Sequence, residues 1–115
     1  MTKTGEASVI DVEELRSGRS FTFLGGEHGG IPVTAILDRS EPGKGPALHR
    51  HPYDEVWILE EGQATFTAGD REVTAGPGTI LVVSAGTPHC FTNTGTVPLR
   101  MTCIHPRPRP ETEWL

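Results

Sequence analysis

From Phe21 onward, short runs of β-branched and aromatic residues alternate with breaks that are rich in glycine and proline. The breaks recur roughly every 8–12 residues, a spacing typical of an antiparallel sandwich or barrel. Within the runs, apolar and polar positions alternate with a period of two, as in half-buried strands. Nine strands are predicted: Phe21–Leu24, Pro32–Asp38, Ala47–His51, Glu55–Glu60, Ala64–Ala68, Arg71–Thr74, Thr79–Val83, His89–Asn93 and Leu99–Ile104. The pattern therefore favours an all-β fold of two antiparallel sheets.

The two ends of the chain do not follow this pattern. Asp11 and Glu14 form a capping-box pattern that Gly18 ends, so a short peripheral helix is predicted there. Prolines alternate with other residues from His105 to Pro110, and each one disfavours helix at the residue before it. The expected organisation is an N-terminal arm over residues 1–20, one barrel over residues 21–105 and an extended C-terminal tail over residues 106–115.

Length and charge restrict the classes of function. A chain of 115 residues can bury one hydrophobic core but not two. Its formal net charge of −5 comes without a basic stripe, so nucleic acid is not an expected partner. No run approaches the roughly 20 apolar residues that span a bilayer, and Met1–Val12 lacks a leader-like pattern. No membrane association and a cytoplasmic location are expected, with Cys90 and Cys103 as free thiols.

Three of the five histidines stand at spacings that suit a metal ion. His49 and His51 lie two residues apart on a predicted strand, and Glu55 has the same parity. His89 opens a later strand, from which it can approach from the opposite wall of a barrel. Imidazoles with one carboxylate suit one divalent transition metal ion per chain, such as Fe, Mn, Ni, Co, Cu or Zn. Metal ligation would also explain a carboxylate inside a barrel, where it is costly if unpaired.

Glycines around these residues complete two motifs that resemble those of the cupin superfamily. The first consists of Gly43, His49, His51, Glu55 and Gly62, and the second of Gly78, Ser84, Gly86, His89 and Asn93. The second motif departs from the family pattern at Ser84, where a proline is usual. The resemblance implies a small single-domain cupin, built as a double-stranded β-helix or jelly-roll barrel. It also implies that the metal ligands are His49, His51, Glu55 and His89, with one or two coordination positions left open.

Strand parity extends the predicted site along the barrel wall. Continuing inward from Glu55 gives Trp57 and Leu59, and continuing from His89 gives Phe91 and Asn93. A pocket with this mostly apolar lining suits a flat or aromatic ligand. Trp57 is equally consistent with ordinary filling of the barrel.

No catalytic residue beyond the metal ligands is identified, and no phosphate-binding loop indicates an organic cofactor. Tyr53 and Asp54, in the turn between ligands, are weak candidates for a general base. His28 lies in a glycine-rich loop, which is predicted as a surface turn rather than a flap over the mouth. His105 is predicted to be structural, and the parity of Cys90 points it away from the metal.

The leading hypothesis is a metal-dependent enzyme, a non-haem dioxygenase-like oxidoreductase acting on a small apolar or aromatic molecule. An isomerase, cyclase or lyase that uses the metal as a Lewis acid is the alternative within enzymes. A barrel that binds a small ligand without turnover is the alternative outside them. A homodimer is expected because a small jelly roll exposes sheet edges. Trp114 and Leu115 are expected to dock on the barrel or on the partner.

Overall fold

The computed structural model describes residues 2–4 and 7–115, and the side chains of residues 7–115. Positions 1, 5 and 6 of the predicted N-terminal arm lie outside the described residues. The strands are β1 (Thr2–Thr4), β2 (Ala7–Val9), β3 (Arg16–Ser17), β4 (Ser20–Leu24), β5 (Thr34–Asp38), β6 (His49–Arg50), β7 (Glu55–Glu61), β8 (Ala64–Ala68), β9 (Arg71–Ala75), β10 (Thr79–Val83), β11 (His89–Asn93), β12 (Arg100–His105) and β13 (Glu113–Trp114). Two short 3₁₀ helices span Val12–Leu15 and Gly25–Glu27.

Two antiparallel sheets form the barrel. The order of the six-stranded sheet is β10-β7-β12-β5-β4-β3, and that of the five-stranded sheet is β13-β6-β11-β8-β9. Strands β1 and β2 form a separate hairpin. The predicted all-β fold of two antiparallel sheets is confirmed.

The core lies between the two sheets because inward and outward positions alternate along each strand. On β7, the inward residues Trp57 and Leu59 are 1% exposed, whereas the outward neighbours are only half-buried. The buried apolar side chains that pack together are Trp57, Leu59, Ala64, Phe66, Val83, Phe91, Leu99, Met101 and Cys103. This apolar cluster fills the interior of the barrel as far as a layer of buried polar side chains, which includes Glu55 and His89.

All nine strands predicted from Phe21 onward are present, with changes at their ends. The strand predicted at Pro32 begins at Thr34, and the one predicted at Ala47 is only His49–Arg50. Pro32 and Pro46 lack the N–H that a ladder requires, which explains both late starts. The predicted helix is a single 3₁₀ turn, where the Asp11 side chain accepts a hydrogen bond from the Glu13 N–H at 2.9 Å.

The loop between β5 and β6 closes onto β11 through its backbone. Gly43 donates to the carbonyl of Asn93 at 2.8 Å, and Asn93 donates back to Lys44 at 2.9 Å. Gly45 allows this approach, because a Cβ there would collide with the carbonyl of Phe91. The loop therefore brings Pro46 to the rim of the barrel, next to β6. No helix among the described residues is long and apolar enough to cross a membrane.

Candidate metal centre

Three histidines and one glutamate face one another between the two sheets. His49 lies on β6, His51 follows it, and His89 is the first residue of β11. His49 and His89 are directly opposed in the β6–β11 ladder. Glu55 begins β7 in the other sheet. The cluster therefore joins the two sheets at one end of the barrel.

The four predicted ligands form one buried cluster. One nitrogen or oxygen atom from each residue lies within 4.8 Å of those of the others. Glu55 Oε1 lies 3.1 Å from His89 Nε2 and 3.3 Å from His51 Nε2. The rings of His49 and His89 are 4.3 Å apart between centroids.

Backbone carbonyls fix the tautomer of all three imidazoles. Each Nδ1 lies within hydrogen-bond distance of a carbonyl oxygen, which can only accept, so each Nδ1 carries a proton. The Nδ1–O distances are 2.7 Å from His49 to Ala47, 2.8 Å from His51 to Glu111 and 2.7 Å from His89 to Thr87. In the neutral rings, the Nε2 lone pairs are therefore free to ligate.

A cation satisfies the atoms that converge in this cluster. The Nε2 lone pairs and the Glu55 carboxylate all lack a proton, so they repel one another unless a positive charge lies between them. His51 Nε2 is buried and has no hydrogen-bond partner among the described residues. Buried polar atoms in this state call for a partner such as an ion. Three imidazoles and one carboxylate fit a divalent transition metal.

The second carboxylate oxygen of Glu55 is held by other residues. Its Oε2 accepts a hydrogen bond from Trp57 Nε1 at 2.8 Å and lies 3.1 Å from His105 Nε2. The Nδ1 of His105 is 2.6 Å from the Tyr53 hydroxyl, which can donate to it. Only Oε1 is therefore directed at the imidazole cluster. Such outer contacts orient a ligating carboxylate.

His105 is the site residue that sequence reasoning missed. It was predicted to be structural because it precedes the proline-rich tail, but it is 3% exposed and contacts Glu55. The available signal was parity, since His105 continues the inward positions Met101 and Cys103 of β12.

The cluster changes the pKa values of its members. Burial acts to raise the pKa of Glu55, but its close contacts with His105, His51 and His89 outweigh burial and hold that pKa well below its ordinary value. Burial lowers the pKa of His49. Burial also acts against the charged form of His51, but its contacts with Glu55 and the Glu111 carbonyl raise its pKa. The carboxylate thus stays ionised as a ligand at neutral pH.

A cavity of about 330 Å³ opens beside the cluster. Its lining residues are Ile36, Asp38, Pro46, His49, His51, Glu55, Trp57, Phe91, Cys103, His105, Pro110, Thr112 and Trp114. A larger groove of about 420 Å³ lies elsewhere and contains only His51 of the cluster. The smaller cavity is the chemically relevant one because it reaches three of the four clustered residues.

The four predicted pocket residues separate into two pairs. Trp57 and Phe91 line the cavity. Leu59 and Asn93 do not: Leu59 is packed in the core, and the Asn93 amide donates to the carbonyls of Ser40 and Val97 at 3.0 and 2.9 Å. Parity identifies an inward side chain but not its depth along the barrel, so Leu59 and Asn93, the residues farther along each strand from the His–Glu cluster, do not reach the cavity.

Three other candidates lie outside the cavity. The Asp54 carboxylate accepts a hydrogen bond from the N–H of Ala85 at 2.8 Å, which gives it a turn-stabilising role. Tyr53 is buried, and burial raises its pKa above the ordinary value. His28 stacks on Phe23 with ring centroids 4.9 Å apart. None of these three side chains lines the wall described above.

The two cysteines are free thiols. Cys103 is buried and faces the cavity, and burial raises its pKa well above the ordinary value. Cys90 alternates with the inward residues His89 and Phe91 and is half-buried on the other face. The negative charge of Glu55 also acts to raise the pKa of Cys103, which lines the same cavity.

The C-terminal segment folds back over the cluster. Strand β13 pairs with β6, placing Trp114 opposite His49, with ring centroids 4.9 Å apart. The Leu115 N–H donates to the carbonyl of Leu48 at 3.1 Å. The tail thus docks on its own barrel, one of the two expected locations, and supplies the Glu111 carbonyl that binds His51.

Comparisons with known proteins agree with this architecture. The cupin domain family model matches residues 37–105, and no curated protein matches the chain in sequence. An uncharacterised Klebsiella pneumoniae protein with a double-stranded β-helix domain is similar over 94% of this chain and 96% of its own, with 19% identity and a TM-score of 0.73.

Two larger enzymes also share the fold. An oxalate oxidase in complex with glycolate is similar over 74% of this chain and 47% of its own, at 17% identity and a TM-score of 0.67. An oxalate decarboxylase from Bacillus subtilis is similar over 84% of this chain and 27% of its own, at 18% identity and a TM-score of 0.74. This chain therefore spans less than half the length of either enzyme. With the family model, the barrel and the buried His–Glu cluster all in agreement, the chain belongs to the cupin domain family.

Proposed function

We propose that this protein is a metal-dependent enzyme that acts on a small, largely apolar or aromatic organic molecule. The observation that carries the proposal is the convergence of three Nε2 atoms and Glu55 Oε1 beside a cavity of about 330 Å³. The proposed ligands are His49, His51, Glu55 and His89. A divalent metal held there would supply Lewis-acid or redox chemistry.

The chain's own residues prepare the site for a ligand. Carbonyls hold each imidazole in one tautomer, and Trp57 holds Glu55 in one orientation. Aromatic and aliphatic side chains such as Ile36 and Phe91 cover the wall beside the cluster. A substrate bound against this wall excludes water from the metal side of the cavity.

Oxidative chemistry of the dioxygenase type is the class proposed first. An oxalate oxidase shares the fold at 17% identity, which makes an oxidoreductase the first class to test. Isomerisation, cyclisation or lyase chemistry is the second candidate, because the same ligand set also serves a Lewis acid. Binding without turnover is the third.

The proposal is tested by oxygen uptake with iron- or manganese-loaded protein and a panel of aromatic and enolic compounds. We expect uptake with at least one compound and its loss in His51→Ala, which removes one ligand. His28→Ala is the matched control, since His28 lies on Phe23 outside the cavity. Product formation without oxygen uptake would transfer the assignment to the second class. Tight binding with no product would contradict an enzyme.

A homodimer is part of the same proposal. Outward positions on five adjacent strands of the six-stranded sheet are mostly apolar: Ile80, Val82, Val56, Ile58, Thr102, Ile104, Ala35, Leu37, Phe21 and Phe23. On the edge strand β10, Ile80 and Val82 are 63% and 66% exposed. Charged groups lie at the margins of this face, with Glu60 beside Thr102 and Arg16 over Phe21, so a second copy can present the same apolar rows about a two-fold axis.

A further inference from the structure

Asp38 is an acidic residue in the cavity wall that the proposed metal centre does not use. It lies at the end of β5, is half-buried and lines the same cavity as Glu55. The remaining wall around it is largely apolar. A polar group in such a wall is a candidate for fixing the orientation of a ligand.

The strand register separates Asp38 from the metal cluster. Asp38 is opposite Met101 on β12, and Met101 is opposite Leu59 on β7. Leu59 lies four residues along β7 from Glu55. At the usual rise per residue of a strand, four residues correspond to about 13 Å. Asp38 and the metal cluster therefore occupy different levels of the barrel.

Apolar side chains occupy the level between them. Ile36 is opposite Cys103, and Cys103 is opposite Trp57. All three line the cavity, with Phe91 contributed by the other sheet. The cavity thus runs from the imidazole cluster, along an apolar middle, to one carboxyl group.

No cation among the described residues neutralises the Asp38 carboxylate. The Arg39 guanidinium donates to the backbone carbonyl of Asp38 at 2.9 Å, rather than to its side chain. The Ser40 hydroxyl donates to Asp38 Oδ1 at 2.6 Å. Burial raises the pKa of Asp38 above its ordinary value, and the contacts with Ser40 and Arg39 only partly offset it. A half-buried carboxylate without a direct ion pair among the described residues has unmet capacity to accept hydrogen bonds.

We propose that Asp38 is the second anchor of the substrate, accepting a hydrogen bond from an ammonium or hydroxyl group at the end remote from the metal. The inference rests on the proposed function and specifies its substrate class. The substrate is elongated, with an acidic metal-binding group at one end, a flat apolar body and a hydrogen-bond donor at the other end. Asp38 thereby selects among molecules that the metal and the apolar wall would bind equally.

A purely structural role is the competing explanation. The Ser40 carbonyl accepts hydrogen bonds from Leu99 N and Asn93 Nδ2, so Ser40 helps hold the loop after β5. Asp38 could serve only to position Ser40. Asp38→Asn separates the two roles, because its amide oxygen still accepts from the Ser40 hydroxyl while the negative charge is lost.

The test uses three probes on the metal-loaded protein at neutral pH: benzoate, 4-(aminomethyl)benzoate and 4-(2-aminoethyl)benzoate. All carry a carboxylate for the metal, and the two longer probes add an ammonium group at different distances. By calorimetric titration, the better amino probe should bind at least about tenfold more tightly than benzoate, as expected for a hydrogen bond to a charged group. In Asp38→Asn this preference should fall to about twofold or less, with benzoate affinity unchanged.

The control is Asp70→Asn, which removes the same charge from an exposed turn and should retain the full preference. Equal binding of all three probes to the wild type, or a preference that survives in Asp38→Asn, would overturn the role of Asp38. Either result leaves the metal site intact, provided benzoate binds more tightly with metal than without. If benzoate gains nothing from the metal, the proposed function fails, and the anchor fails with it.

Discussion

The two oxygens of Glu55 have different partners. Oε1 faces His51 and His89, whereas Oε2 is bound by Trp57 and lies against His105. A buried carboxylate with a free second oxygen could rotate or bind a metal through both atoms. The Trp57 and His105 contacts occupy Oε2, so Glu55 would offer a metal ion one oxygen, Oε1.

Trp57 therefore affects metal affinity as well as the shape of the cavity. Trp57→Phe keeps an aromatic ring in the core but removes the Nε1–H donated to Glu55. We expect metal affinity to fall about 10–100-fold, the range typical of outer contacts to metal ligands. Competition with a chromogenic chelator measures the change.

Phe91→Leu provides the matched control, since Phe91 lines the cavity but does not contact Glu55 through a hydrogen bond. It should lower the melting temperature while leaving metal affinity within about twofold of wild type. An unchanged metal affinity in Trp57→Phe would mean that Glu55 does not depend on this contact. Trp57 would then act only as part of the cavity wall and of the core.

Asp38 makes stability depend on pH in the opposite sense to a salt-bridged carboxylate. Its pKa is raised in the folded protein, so its contribution is favourable below the unfolded pKa and is lost as pH rises through the folded pKa. Asp38→Asn should therefore melt at a higher temperature than wild type at neutral pH. The difference should vanish below about pH 3, where the acid is protonated in both states.

Thermal melts of the metal-free proteins at several pH values test this expectation. Cys103 also interacts with Asp38, and burial raises the pKa of this thiol well above its ordinary value, so it stays neutral over this range. A constant difference in melting temperature between the two proteins from acidic to neutral pH would contradict the assignment of the effect to ionisation of Asp38.

Among the elements, the C-terminal segment is the one that connects the end of the chain to the proposed metal centre. Strand β13 pairs with β6 in register with His49, and the Glu111 carbonyl holds the His51 tautomer. The Arg50–Glu113 ion pair beside it is exposed and of minor energetic value. The contribution of this segment is therefore the backbone and ring contacts that it makes to the imidazoles.

A chain that ends at Pro110 should lose about tenfold or more in metal affinity and melt at a lower temperature. Both effects follow from the loss of the Glu111 carbonyl and of strand β13. Chelator competition and thermal unfolding measure them. Glu113→Gln is the control: it weakens the exposed ion pair, retains the strand and should behave as wild type. Identical affinity, melting temperature and sedimentation coefficient in the shortened chain would refute this role of the segment.

The elements that were predictable are those set by local pattern. The alternation along β7 and β11 identified their inward faces, and the two motifs, one with His49, His51 and Glu55 and the other with His89, identified the four clustered residues. Parity along β12 indicated that His105 points inward, but its contact with Glu55 and the place of Asp38 in the cavity depend on the pairing of β12 with β5 and β7, which is a non-local property. The C-terminal strand was missed because a two-residue ladder carries no periodic signal.

At the scale of the whole molecule, the outer face of the six-stranded sheet remains the least covered apolar region. Outward apolar side chains form rows across five strands of this sheet, from Ile80 and Val82 on β10 to Phe21 on β4. Arg16 lies over the Phe21 ring at 4.7 Å, so the far end is partly covered by the chain itself. The β10 end is the part that a second copy would cover.

The double substitution Ile80→Asp and Val82→Asp should convert a dimer into a monomer, because it places like charges on both sides of the proposed two-fold interface. Light scattering should then report half the mass of the wild type with an unchanged far-ultraviolet spectrum. Thr92→Asp, on the exposed outer face of β11, should leave the dimer intact. A wild-type mass of one chain at micromolar concentration would remove the homodimer from the proposal.

The measurement that tests the account most directly is metal content per chain by plasma mass spectrometry, compared between wild type and His51→Ala. We expect close to one equivalent of a divalent transition metal in the wild type. At least a tenfold loss is expected in the variant, whose barrel should remain folded because apolar packing rather than the ion holds the core. Absence of bound metal in the wild type, even after reconstitution with each candidate ion, would contradict a metal centre at this site.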